Sequence, residues 1–198
     1  MCGRWAWQSR NRPDRAVRAD AGGTPNAGAC PDAPLKRGFA PVADARTRLL
    51  ICGNLPGDAS LVAGRYYAHP RNRFWHLLGA AADMPELPAL PYDDRLRALL
   101  SRGIGLWDVA ASGSRRGSLD TALRNVEPTD LAGLAATLPA LRAIAFNGSA
   151  AARIGRRLMA GDGRVALVDL PSSSPAYCAI TPHDKQMRWM VLKQWLER

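Results

Sequence analysis

Lysine is scarce in this chain. Only Lys36, Lys185 and Lys193 stand among 27 basic residues, and the rest are arginines. A Schiff-base mechanism therefore has few candidate amines. Paired cysteines are also lacking. Cys2, Cys30, Cys52 and Cys178 form no C-x-x-C or other short ligand pair. That spacing disfavours zinc and iron–sulfur sites and reads as free thiols in a reducing compartment. No apolar run approaches the roughly 18 residues of a membrane span. The start of the chain lacks the charged, apolar, small-residue order of a secretion signal. The expectation is a cytoplasmic protein, in cytosol or nucleoid, with no membrane partner and monomeric by default. The dinucleotide and Walker phosphate loops are missing, and so is the G-x-S-x-G hydrolase elbow.

What is present is 198 residues, 47% of them hydrophobic, with a formal net charge of +10. The apolar share is enough for one sizeable core. The charge points to a polyanionic partner, most simply nucleic acid. Residues 1–46 mix Arg, Pro, Gly, Ala and Asp without periodicity. They read as a mostly disordered basic tail, with Phe39-Ala40-Pro41-Val42 packing on the domain edge. The ordered domain is expected over 47–198.

Four short apolar runs suit buried parallel strands: Leu49–Gly53, Ile104–Val109, Leu141–Phe146 and Val165–Leu170. Helical patterns separate them at 72–82, 93–101, 130–138 and 149–159. A last amphipathic helix is expected over 184–196, with Met187, Met190, Val191, Gln194 and Trp195 near one face. Alternating strands and helices predict an α/β domain with helices on both faces of a parallel sheet. Sites in such sheets collect in the loops after the strands' carboxyl ends.

That directs attention to Gly53–Ser60, Ala110–Leu119, Asn147–Ser149 and Pro171–Tyr177, and three segments carry candidate chemistry. Gly53-Asn54-Leu55-Pro56-Gly57 is a turn whose N–H groups suit an anionic or carbonyl oxygen. Arg65-Tyr66-Tyr67-Ala68-His69-Pro70-Arg71-Asn72 gathers aromatics, arginines and an amide before a helix. It suits base stacking and phosphate contact, although Asn72 serves equally as a cap and His69 as a packed loop residue. Ser172-Ser173-Ser174-Pro175-Ala176-Tyr177 is a rigid hydroxyl-bearing loop. It reads either as a set of caps or as a phosphate grip with a wedge for a duplex. Asn147 before Gly148 fits a turn as well as base reading. Asp108 closes the second strand, where an arginine pair is the plain reading and a general base the functional one.

Six ordered blocks make a more specific signal than any one alone. They are Gly53-x-x-Pro56-Gly57-x-x-Ser60, Tyr66–Trp75, Gly103–Val109, Gly117–Asp120, Phe146–Gly148 and Leu170–Ala176. Together they resemble the uracil-DNA glycosylase superfamily, most of all its hypoxanthine-DNA glycosylase branch, from about Arg48 to the C-terminus. The resemblance implies a three-layer α/β/α fold on a four-stranded parallel sheet. It implies a pocket for a flipped base, a DNA partner carrying deaminated bases, and no metal or cofactor.

In the mismatch-specific relatives a catalytic Asn precedes the loop proline. Here that position is Leu55, and Asn54 is one place out of register. The resemblance moves the catalytic amide to Asn72. It places Gly53, Asn54, Leu55, Pro56, Gly57, Tyr66, Tyr67, His69 and Asn147 in the base pocket, with Tyr67 preferred over Tyr66 as the stacking face. It assigns DNA contact to Ser60, Arg65, Arg71, Ser172, Ser173, Ser174, Pro175, Ala176 and Tyr177. The implied reaction is hydrolysis of the N-glycosidic bond of a deaminated base by water. Alternatives are a uracil- or thymine-mismatch glycosylase and a non-catalytic DNA-binding module on the same fold.

Overall fold

A computed structural model describes residues 33–197. The greater part of the expected tail, with Cys2 and Cys30, lies outside the described residues.

The core is a four-stranded parallel sheet built from β2 (Leu49–Gly53), β3 (Ile104–Asp108), β6 (Ala143–Asn147) and β7 (Ala166–Leu170), in the order β3-β2-β6-β7. All five residues of β2 are buried, and so are those of β6, because both strands are covered on two faces. Alternate residues serve alternate faces. A short helix, α1 (Asp58–Ala63), follows the turn after β2. Leu49, Ile51, Ala143 and Ala145 pack with α2 (Phe74–Ala81), α3 (Tyr92–Ser101) and α6 (Pro182–Trp189). Leu50, Cys52, Ile144 and Phe146 pack with α4 (Leu131–Thr137) and α5 (Ser149–Leu158). The result is the three-layer α/β/α arrangement expected. Gly155 lets α5 approach the sheet, since a Cβ there would run into the Phe146 ring.

Two features depart from expectation. A second, antiparallel sheet joins β1 (Leu35–Arg37), β4 (Ala110–Ser114) and β5 (Arg124–Pro128) in the order β1-β4-β5. The fold therefore starts before residue 47. Leu35 pairs with Ser114, Val42 bridges Leu106, and the Trp107 indole N–H donates to the Phe39 carbonyl at 3.2 Å. Order over 33–46 comes from these long-range partners, which local composition does not reveal.

The last helix is also broken. α6 runs into a 3-10 turn at Met190–Leu192, and α7 follows at Lys193–Leu196. Lys185, Trp189 and Leu192 face inward, whereas Met187 is 58% exposed and Val191 41%. The inward positions 185, 189 and 192 keep helical spacing, so the buried stripe lies on a different face from the one the apolar residues of the sequence suggest.

Candidate active site

Strand register decides what meets at the carboxyl end of the sheet. Gly53 lies opposite Asp108, and Cys52 opposite Phe146 just before Asn147. β2 has β3 on one side and β6 on the other, so the loops after it diverge and open a crevice there. A cavity of about 1100 Å³ occupies that crevice. Its wall includes Gly53–Gly57, Tyr67, His69, Asn72, Asp108, Asn147 and Ser172–Tyr177.

The floor of the cavity holds buried polar atoms without partners. Asn54 Oδ1, Tyr67 Oη and Asp108 Oδ2 are each shut from solvent and unpaired. Such groups are uncommon in folded interiors and signal a ligand site or a store of strain. Gly53 is needed here. A Cβ on it would stand 2.5 Å from Asp108 Oδ1 and 3.1 Å from Tyr67 Oη. Burial raises the Asp108 carboxyl to about 7, with Asp120 adding to the rise and Arg115 opposing it. Burial also pushes the Tyr67 phenol well above its usual range.

Tyr67 adopts φ +53°, a left-handed conformation that is strained for an aromatic residue. One face of its ring stacks on Phe74 at 3.5 Å and 10°, and the residue lines the cavity. Tyr66 does not fill that role. It is 4% exposed, meets Phe39 edge-on, and donates its hydroxyl to the Ala40 carbonyl at 3.0 Å.

Asn72 is half-buried on the wall, and its Oδ1 accepts the Phe74 N–H at 3.0 Å. That bond is an Asx turn leading into α2, whose N-cap is Arg73, and it fixes the amide plane. With Oδ1 anchored, the donor end of the amide remains for a ligand. His69 Nδ1 accepts the Arg71 N–H at 3.2 Å, which leaves Nε2 as its free end.

Three expected contacts change role. Asn147 spends both ends of its amide on Ser173. Its Nδ2 donates to Ser173 Oγ at 2.9 Å, and its Oδ1 accepts the Ser173 N–H at 2.8 Å. It staples β6 to the serine loop and still lines the cavity, with one Nδ2 hydrogen left over. Ser173 is fully buried in that pair and cannot grip a phosphate. Ser60 is buried as well, its Oγ accepting the Ala68 N–H at 3.2 Å. Ser172 and Ser174 stay partly exposed with their hydroxyls accepting loop N–H groups. Pro175 and Ala176 are exposed at the rim. Arg65 and Arg71 are exposed too, the former over the Tyr92 ring at 5.5 Å.

Sequence reasoning missed Arg115. It is 1% exposed, and one guanidinium nitrogen donates to the carbonyls of Leu55 and Pro56 at 2.9 and 2.7 Å. Another pairs with Asp120 at 3.1 Å. The small sheet thereby holds the base loop by its carbonyls, while Leu55 packs with Ala110 and Leu123. Among so many arginines no local signal marks this one. Among the described residues, no cluster of His, Cys, Asp or Glu has the makings of a metal site, and no lysine lines the cavity.

Comparison with known proteins agrees with this architecture. The model of the uracil DNA glycosylase superfamily matches residues 40–196. A hypoxanthine DNA glycosylase of Methanosarcina acetivorans is 43% identical over 142 residues, 72% of this chain and 88% of that protein. A hypoxanthine DNA glycosylase of Methanosarcina barkeri is 43% identical over 113 residues, 57% of this chain and 71% of that one. A solution NMR structure of a candidate uracil DNA glycosylase from M. acetivorans superposes with a TM-score of 0.74 at 38% identity, covering 83% of this chain and all of that one. The chain belongs to the uracil DNA glycosylase superfamily.

Proposed function

We propose that this protein is a DNA repair glycosylase, acting in the cytosol or nucleoid, that hydrolyses the N-glycosidic bond of a deaminated base, hypoxanthine before uracil. The observation that carries the reading is the convergence of Asn72, Tyr67 and the Gly53–Gly57 turn on one cavity at the sheet's switch point. The names of the two Methanosarcina relatives support the choice of base.

A base stacked in a duplex is out of reach, so the nucleotide rotates into the cavity. Tyr67, on the cavity wall, receives the ring. As the glycosidic bond breaks, the sugar gains positive charge and the base negative charge. Hydrogen bonds to the leaving base and a positioned water then supply most of the catalysis. The Asn72 amide suits the purine edge or the water. No cavity lysine offers an amine for strand cleavage, which favours simple hydrolysis. Ser172, Ser174 and Arg71 at the rim suit phosphates, and Ala176 and Tyr177 suit the gap left by the base.

The test is single-turnover cleavage of matched oligonucleotides carrying hypoxanthine, uracil or a normal base. Asn72→Ala runs in parallel. Hypoxanthine should leave first, and the variant should lose roughly a hundredfold or more in rate with DNA affinity kept. Uracil leaving first moves the protein to another branch. Binding without release of any base leaves a DNA-binding module.

A further inference from the structure

Most polar groups around the cavity have partners. The Asp108 carboxyl is the exception with the largest consequence. It ends β3 beside Gly53, is 4% exposed and lines the cavity; Oδ2 is sealed and unpaired on the Gly38 side, and Oδ1, on the Gly53 side with Tyr67 Oη, is the oxygen turned to the cavity. A carboxylate in that place would face the base just as the base takes on negative charge, which opposes bond breaking. A neutral carboxyl there has a proton to give and no charge to repel.

We propose that Asp108 is a catalytic residue that donates a hydrogen bond from its protonated carboxyl to the departing base. The inference rests on the glycosylase reading above. In the step it serves, the bond from C1′ to the base nitrogen breaks and its electron pair leaves with the base. A water oxygen bonds to C1′, and the water's proton ends on the released base. Asp108 keeps its own proton and lends only the hydrogen bond. Tyr67 Oη, also without a partner, lies near the same point beside Gly53.

The surroundings of Asp108 favour the neutral form. Cys52 on β2 and the Tyr66 and Tyr67 phenols are held protonated by burial. The charged groups that act on it are Asp120 and Arg115, and they pull in opposite directions. Burial therefore decides, and the carboxyl titrates near 7. Activity carried by the acid form holds on the acid side and falls as pH rises through that value.

The experiment follows base release under single turnover with saturating enzyme, from about pH 5 to about pH 9, for hypoxanthine and for uracil. Wild type should decline above about 7. Asp108→Asn, which carries a donor that does not titrate, should lack that decline. Asp108→Leu should lose roughly a hundredfold at every pH with DNA affinity unchanged. A wild-type rate that rises through 7 would assign the residue to a general base and overturn the proposal. So would an Asp108→Asn profile that follows wild type, or an Asp108→Leu rate equal to it. The wild-type profile decides even where a variant does not fold. The proposed acid-limb profile on uracil, with hypoxanthine untouched, would keep Asp108 in its role and overturn the base assignment. No release of either base removes both.

Discussion

The two sheets of this protein do different work. The central strands of the parallel sheet are buried on both faces, and the sheet brings Gly53, Asp108 and Asn147 to one end. The antiparallel sheet is largely open to solvent, and β5 has no fully buried residue. Yet Arg115, just beyond β4, reaches from this sheet to the carbonyls of Leu55 and Pro56. One sheet supplies stability and the floor of the site. The other supplies little core but aims the loop above that floor. Damage to the first should therefore unfold the protein, and damage to the second should slow it.

The largest effect tests the first half of that contrast. Phe146→Ala leaves a void beneath α5, where the ring meets Gly155. A loss of about 3–5 kcal/mol is expected, or a midpoint lowered by about 10 °C. Calorimetry measures this. The rate at low temperature, where the variant is still folded, should stay near wild type.

Arg115→Met tests the second half. It strands two carbonyls at the cavity wall, where water entering in place of the guanidinium should leave a net cost of about 1 kcal/mol. A loop displaced by about 1 Å can cost roughly a hundredfold in rate. Single-turnover excision should fall by that order while melting shifts by only a few degrees. A collapse in melting like that of Phe146→Ala would erase the distinction between the sheets.

The same contrast explains what was legible in the sequence. Strands buried on both faces must be apolar almost throughout, so Leu49–Gly53 and its partners β3 and β6 stand out, whereas the edge strand β7 is marked by its alternation of apolar residues with Asp169. The antiparallel strands are built of small and polar residues, and β4 and β5 slip register twice. Nothing in Leu35-Lys36-Arg37 announces a strand until Ser114 lies opposite. The site shows a similar division. Motif residues mark the cavity, but hydrogen bonding sorts them. Ser172, Ser173 and Ser174 look alike in sequence, and only Ser173 turns inward to Asn147. Asp108 carried a faint signal, an acid closing an apolar strand, but its lack of a partner is a tertiary fact.

A truncation sharpens the border of the small sheet. A chain cut after residue 46 loses β1, the Val42 bridge and the Phe39 partner of Trp107. It should melt several degrees below a chain cut after residue 32, a loss of about 1–3 kcal/mol at roughly 2–4 °C for each. Equal midpoints would make residues 33–46 a passive strap.

The smallest effect reaches the floor of the large sheet. Asp108 titrates near 7 in the folded protein against 3.8 when exposed. The native state holds the proton more tightly, so the stability this gives is complete below about pH 4 and is lost as pH rises through 7. Three units would be worth about 4 kcal/mol, and water entering the cavity should leave about 1–2 of it. Asp108→Asn cannot ionise. Its midpoint should match wild type near pH 4 and exceed it by a few degrees at pH 8, with the gap opening between. Thermal melts at several pH values measure this directly. A gap independent of pH would mean that Asp108 is solvated well enough to ionise at its ordinary value. A floor that is less stable with its native carboxyl than with an amide is what a site selected for chemistry, and not for packing, would show.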